Sequence, residues 1–381
     1  MKRVLFVDQS QVLGGAELSL IDLSKQFPGC AVAVFSRGEF SDRLEELQIK
    51  MVDLDVAKGL KEVKRSGGRI TEVAAIPALF SASVKLSRAA KDFDVIYANT
   101  QKAMLVAGIA GKLSGKPVIW HLRDLLTTDH FSNKLIRISV SAANHLVLKV
   151  IANSHATAAS FIDAGGDPTR VSVIHNGVDS SAFTDLSTDE STRIRNDLGI
   201  GDAPVAGIFS RIAAWKGQHV MLEAASKLPD WHVLVVGDAL FQNDQEYKDS
   251  LFRIVQKNGM DNRVHFLGFR NDVPALMAAC DVVVHTSTSP EPFGRVIVEG
   301  MLARTPVIAA QGGGASEIVR HGENGFLFDP DNPIELRQLL YQVASDDTSG
   351  LLESAFAEAV DYYSVDRLVR DVRDVITSLN S

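Results

Sequence analysis

Short, continuously apolar runs alternate along this chain with stretches of helix length. Val4–Val7, Ala31–Phe35, Val95–Ala98, Val118–Trp120 and Val171–Ile174 mark the first half, and Val205–Phe209, Trp231–Val236, Val264–Phe266, Val282–His285 and Val307–Ala309 the second. Runs this short and this rich in β-branched residues predict strands buried on both faces, and the spacers predict helices that cover parallel sheets. The rhythm breaks once. From Asp179 to Pro204 the chain is polar, with Ser180, Ser181, Ser187, Thr188, Asp189, Glu190 and Ser191, which predicts a junction near residue 180. The expected architecture is α/β, with doubly wound Rossmann-like domains at 1–180 and 181–361 facing each other across a cleft where the strand carboxyl ends hold ligands. Residues 362–381 predict a last helix, with Leu368, Val372, Val375 and Ile376 at helical spacing. By pattern alone that helix can pack on either domain, including back on the first.

Composition narrows the class. A length of 381 residues suits two domains of roughly 200 residues or fewer, and 46% hydrophobic against 23% charged residues excludes a disordered chain. No apolar run reaches the ~20 residues of a membrane-spanning helix, and Met1-Lys-Arg-Val-Leu-Phe-Val-Asp8 reads as a strand rather than a signal peptide, so a cytoplasmic protein is expected. The net charge of −8 is uneven: residues 1–180 carry 22 basic against 18 acidic residues, and residues 181–381 carry 17 against 29. The acidic second half disfavours nucleic acid as a partner. Lys58, Lys61, Lys64, Arg65 and Arg69 suit peripheral contact of the first domain with an anionic surface at the inner face of the membrane, while on a solvated helix face they need no partner. Cys30 and Cys280, far apart beside apolar runs, read as free thiols.

Three segments carry candidate chemistry. After Asp8 the chain runs through Gly14 and Gly15 into an apolar helical pattern at Leu18, Leu20, Ile21 and Leu23. Glycines at such a strand-to-helix turn let the backbone approach a ligand, and the helix start offers unpaired N–H groups to an anion. The spacing is not that of the dinucleotide fingerprint, which disfavours an NAD-dependent oxidoreductase. Arg211 and Lys216 follow the strand that opens the second domain and would there neutralise a diphosphate. Three Asp-x-Asp triplets, at Asp53, Asp92 and Asp329, stand in structural contexts rather than as a metal pair, so no metal and no cofactor are expected. The third segment runs from Ser289 to Ala303. Pro292 and Gly294 mark a turn and the apolar run from Val296 a short helix, which leaves Glu291 in the loop and Glu299 about two turns inside. N–H groups around Gly294, Arg295 and Val296 would face a phosphate. A carboxylate among Val296, Ile297, Val298, Met301 and Leu302 suits two ribose hydroxyls, since both its oxygens accept hydrogen bonds.

The run from Glu291 to Glu299, with Phe293 and Gly294 inside it, resembles the signature of the large family of retaining, two-Rossmann-domain (GT-B) glycosyltransferases of group 1, or family 4, which includes sucrose synthases and bacterial mannosyl- and glucosyltransferases. Gly14-Gly15-Ala16-Glu17, Ala152-Asn153-Ser154, Ile174-His-Asn-Gly-Val-Asp179, the Arg211 and Lys216 pair, Phe266-Leu-Gly-Phe269 and His321-Gly-Glu-Asn-Gly-Phe326 fall in the family's order. The resemblance implies that Arg211 and Lys216 hold the donor diphosphate, that Glu299 holds the ribose, and that Glu291 binds hydroxyls of the transferred sugar. It implies that the backbone of Phe293, Gly294 and Arg295 meets the diphosphate and sugar, that Phe269 and Arg270 lie at the base, and that Gly14 and Gly15 close over the phosphates. His121, just past the strand Val118–Trp120, stands where the family often has a histidine near the transferred sugar, and Gln311 to Glu317 forms supporting scaffold.

The activity so implied is metal-independent transfer of a hexose, with retention, from a nucleotide-diphosphate sugar. UDP-glucose is the preferred donor and a glycan or lipid-linked molecule the acceptor, in cell-surface or exopolysaccharide synthesis of bacterial type. Two rivals share the architecture: a UDP-sugar epimerase and a non-catalytic sugar-nucleotide binder.

Overall fold

The computed structural model describes residues 2–56, 69–240 and 242–379, the side chains of 69–75 and 242–243 excepted. Lys58, Lys61, Lys64 and Arg65 of the basic cluster lie outside the described residues, as does the side chain of Arg69. The chain forms two compact units, Met1–Gly177 with Val365–Ser381, and Val178–Ser364. Among the described residues no helix is long and apolar enough to cross a membrane.

The first unit is a parallel sheet of β1 (Val4–Asp8), β2 (Ala31–Val34), β3 (Met51–Asp53), β4 (Val95–Ala98), β5 (Val118–Leu122), β6 (Lys149–Ala152) and β7 (Val171–Val173). Their order is β3-β2-β1-β4-β5-β6-β7. Every side chain of β1, β2, β4 and β5 is buried, which is why apolar runs mark those strands, broken only at Asp8 and His121. The strand order reverses between β1 and β4, and the carboxyl ends there carry Asp8 and Asn99. The helix Val365–Ser378 belongs to this unit. Its Leu368, Val369, Val372 and Ile376 join Val4, Phe6, Leu20 and Ile21 in one buried cluster, and Arg367 Nη2 donates to the carbonyls of His175 at 2.7 Å and Asn176 at 3.2 Å.

The second unit is a parallel sheet of β8 (Val205–Phe209), β9 (His232–Val236), β10 (Val264–Gly268), β11 (Val282–His285), β12 (Val307–Ala310) and β13 (Phe326–Phe328), in the order β10-β9-β8-β11-β12-β13. Here the order reverses between β8 and β11, so the loops after these two strands occupy the switch point where ligands of doubly wound sheets sit. Each unit is thus a doubly wound, Rossmann-like parallel sheet. β13 goes unpredicted by the apolar pattern because its three residues sit directly behind the His321–Gly325 turn. The polar stretch after Asp179 contains the helix Thr188–Asp197, which buries only Ile194 and therefore shows no apolar stripe. Cys30 is half-buried, Cys280 is buried, and both are free thiols.

Candidate active site

The loop after β8 is pinned by its neighbours. Gln218, fully buried, donates to Ser210 Oγ at 3.0 Å and to the Arg211 carbonyl at 2.9 Å. A single helical turn, Ala214–Lys216, then closes on Gly217 in the left-handed region, at φ +66°. A Cβ at Gly217 would lie 2.0 Å from the Thr286 carbonyl oxygen, so only glycine lets this loop press against the one after β11. Thr286 Oγ1 donates to the Lys216 carbonyl at 2.8 Å, and Thr288 N to the Trp215 carbonyl at 2.9 Å.

This contact brings Lys216 onto Glu291. The Lys216 ammonium donates directly to Glu291 Oε1, Ser287 Oγ donates to the same oxygen at 2.8 Å, and His285 Nε2 lies 3.3 Å from it. Glu291 is only 7% exposed. Burial alone would push its carboxyl up, but the charge of Lys216, with His285 beside it, outweighs burial and holds it well below the ordinary carboxylate range. Lys216 Nζ also stands 4.2 Å from the centroid of the Trp215 ring, and the Arg211 guanidinium 5.6 Å from it. The two predicted cations thus both lie against the Trp215 ring.

Behind Glu291 packs a glycine turn. Gly314 N donates to the Glu291 carbonyl at 2.7 Å. Gly313, at φ +58°, leaves room for it: a Cβ there would fall 2.1 Å from that carbonyl oxygen. Gly294, at φ +100°, starts the helix Arg295–Leu302. Glu299 is therefore the fifth residue of its helix, nearer the start than the two turns expected, and its Oε1 accepts from Arg295 Nε at 2.7 Å. This pairing answers the question of how a carboxylate is tolerated on an apolar helix. The Phe293 side chain is buried against Tyr363, which leaves its backbone as the part open to a ligand role. Phe269 is exposed, and Arg270 Nε donates to Asp272 Oδ1 at 2.7 Å.

Gly14, Gly15 and His121 belong to the first unit. Gly14 caps the helix Gly15–Lys25 and its N–H donates to Glu17 Oε2 at 3.0 Å, while a Cβ on Gly15 would meet nothing within 4 Å. β5 runs to Leu122, so His121 lies inside the strand rather than past it. Its side chain is fully buried, and Nδ1 stands 2.5 Å from the Tyr97 hydroxyl. Burial, with the charge of Arg123, lowers its pKa well below the ordinary histidine value and keeps the imidazole neutral. Sequence reasoning passed over His285, Ser287 and Gln218. Their only signal is position: His285 ends β11, Ser287 follows it, and Gln218 opens the helix Gln218–Ala225 beyond the loop after β8.

The family model described as glycosyl transferases group 1 matches residues 190–360, and that of glycosyltransferase family 4 matches residues 13–182. Over 99% of its length the chain is similar to all of Anabaena Alr3699/HepE, at 39% identity and a TM-score of 0.89, in a crystal structure of that protein with UDP and glucose. The chain belongs to the group 1 glycosyltransferases. Among curated relatives of this glycosyltransferase chain, the lipopolysaccharide core biosynthesis glycosyltransferase LpsE of Rhizobium meliloti is 33% identical over 147 residues, 39% of this chain and 41% of LpsE. The D-inositol 3-phosphate glycosyltransferase of Mycolicibacterium vanbaalenii is 33% identical over 217 residues, 53% of this chain and 47% of that protein. The chain spans about half the length of the curated relatives it matches.

Proposed function

We propose that this group 1 glycosyltransferase moves glucose from UDP-glucose to a glycan or lipid-linked acceptor, with retention at the anomeric carbon and without a metal, in cell-surface or exopolysaccharide synthesis. The observation that carries the reading is the Lys216 ammonium held on the buried Glu291 carboxylate at the switch point between β8 and β11. Lys216 and Arg211 supply the positive charge that a diphosphate requires, and the helix start at Gly294 adds backbone N–H groups. The Anabaena relative's structures with UDP-glucose and with UDP and glucose support the choice of donor, and LpsE, as a lipopolysaccharide core enzyme, supports the class of acceptor.

In this reading the bond from the anomeric carbon to the β-phosphate oxygen breaks, and the acceptor hydroxyl enters from the same face. Its proton passes to the departing phosphate. Lys216, Arg211 and the helix start stabilise the charge that grows on the leaving group, an effect worth several kcal/mol in preorganised sites. Glu291 binds sugar hydroxyls, Glu299 the ribose, and Phe269 with Arg270 the base. His121, its imidazole buried, acts through its backbone and through the packing of β5. Calorimetric titration with UDP-, GDP- and ADP-glucose, with and without EDTA, tests the donor. Binding of UDP-glucose that survives EDTA is expected; binding that needs a divalent ion, or no binding of UDP-glucose, refutes the reading.

A further inference from the structure

Three strands of the first sheet each end on a polar residue that packing buries. Asp8 ends β1, Asn99 follows β4 and Arg123 follows β5, and none is more than 7% exposed. Arg123 Nε donates to Asn99 Oδ1 at 2.5 Å, and its Nη1 donates to Asn176 Oδ1 at 2.8 Å and Ser19 Oγ at 3.0 Å. A guanidinium only donates, so it fixes which way the Asn99 amide points. Asn99 Nδ2 is thereby aimed at Asp8 Oδ2, at 2.6 Å, and at the Ala16 carbonyl, at 3.2 Å. Asp8 Oδ1 in turn accepts from Ser10 N at 2.7 Å, and Glu17 Oε2 accepts from Gly14 N at 3.0 Å. From outside, Glu39 Oε2 accepts from Leu13 N at 3.2 Å. The turn that holds Gly14 and Gly15 is tied at its start by Asp8, at its end by Asn99 and Glu17, and one helical turn later by Arg123 itself.

The geometry points to Arg123 as a positioning residue that acts through Asn99 and Asp8 to set the backbone of Gly14 and Gly15, a role whose bearing on the donor rests on the reading of that turn given above. The charges agree with it. Burial raises both the Asp8 and Glu17 carboxyls, Glu17 to about 8 with Asp8 adding to the effect, and the charge of Arg123 pulls Asp8 the other way. An open Gly15 face is what a backbone that receives a ligand needs, and a Cβ added there meets no atom within 4 Å, which makes Gly15 a steric probe.

The test is a double-mutant cycle in the full chain with Arg123→Gln, Gly15→Val and the two combined, read by UDP-glucose hydrolysis and by the Gly14 and Gly15 amide resonances. Arg123→Gln is expected to move both resonances and to lower kcat about tenfold with the UDP-glucose KM within about threefold, because the proposed ribose and base contacts of Glu299, Phe269 and Arg270 are left in place. The combined variant should fall no further than Gly15→Val, as coupled sites do. Unmoved glycine resonances in Arg123→Gln, or strictly additive losses, overturn the role of Arg123. Shifted resonances with wild-type kcat in Gly15→Val would instead overturn the donor reading for this turn and leave Arg123 as its structural brace only. Should Arg123→Gln not fold, Asn99→Ala and the charge-free pair Asp8→Asn with Arg123→Met carry the same comparison, and unmoved glycine resonances in both overturn the proposal.

Discussion

Replacing Lys216 with methionine tests whether Glu291 owes its ionised state to one partner. The variant keeps most of the side-chain volume and removes the charge, leaving a carboxylate that is 92% buried by side-chain area beside Ser287 and His285. Breaking a buried ion pair by deleting one member costs about 3–5 kcal/mol. The 2.8 Å bond from Ser287 survives and retains part of the stabilisation, so the lower end, about 3 kcal/mol at neutral pH, is expected. For a unit of this size that corresponds to a fall in Tm of roughly 6–12 °C. The pH dependence separates this cause from lost packing. In the wild type the folded carboxyl lies below its usual 4.5, so its contribution is present above that pH and is lost as the pH falls below it. In Lys216→Met burial acts without the cation, and the folded carboxyl rises above 4.5. Its destabilisation is then full at neutral pH and vanishes as the pH falls through 4.5. Urea unfolding of both proteins between about pH 4 and pH 8 should show the gap closing on acidification. The double variant Lys216→Met with Glu291→Gln should recover most of the loss at pH 7, since it leaves no unpaired charge. A gap that is constant with pH, or a double variant as unstable as Lys216→Met, refutes the reasoning.

Other outcomes follow from the same geometry. Glu299→Ala should weaken UDP binding by about a hundredfold or more in calorimetry, the scale of two lost hydrogen bonds to a charged group at about 1.5 kcal/mol each, and an unchanged Kd removes its ribose role. Gly313→Ala places a methyl group 2.1 Å from the Glu291 carbonyl oxygen at φ +58°; a loss of about 2 kcal/mol or more in denaturant unfolding is expected, and wild-type stability would show that this turn does not brace Glu291. His232 Nδ1 and His265 Nε2 lie 3.0 Å apart, with room for one proton between them. Burial lowers both, with Arg263 and Arg195 adding at His232 and His232 adding at His265. Their folded values lie below 6.5, so the pair adds stability above pH 6.5 that drains away as the pH falls beneath it. Thermal scans between about pH 5 and pH 7 should show a shallower decline in His265→Gln, and an identical slope would acquit the pair.

The strands that hold the candidate site are among the most legible elements in the sequence. Val205–Phe209 and Val282–His285 match β8 and β11 residue for residue, because a parallel strand buried on both faces leaves an uninterrupted apolar run. Glu291 and Lys216 each stand out in the sequence as candidates, yet nothing in their 75-residue separation announces that they touch; that contact depends on Gly217 letting two loops meet. His285 and Ser287 hid inside a run that reads as strand and turn. Asp8, Asn99 and Arg123 each stand at the end of an apolar run, and only the order of β1, β4 and β5 in the sheet makes them neighbours. The apolar run Val118–Trp120 stops two residues short of the end of β5 because His121 interrupts it, although the ladder to β6 continues through His121 and Leu122.

The helix Val365–Ser378 also sets the order in which this protein takes shape on the ribosome. The second unit, Val178–Ser364, has every strand of its sheet in hand before that helix is synthesised. The first unit, though begun earlier, lacks the cover for Val4, Phe6, Leu20 and Ile21 until Leu368, Val369, Val372 and Ile376 emerge. Domains are usually completed from the amino terminus onward; here the first unit can bury that apolar face only after the whole second unit has been synthesised.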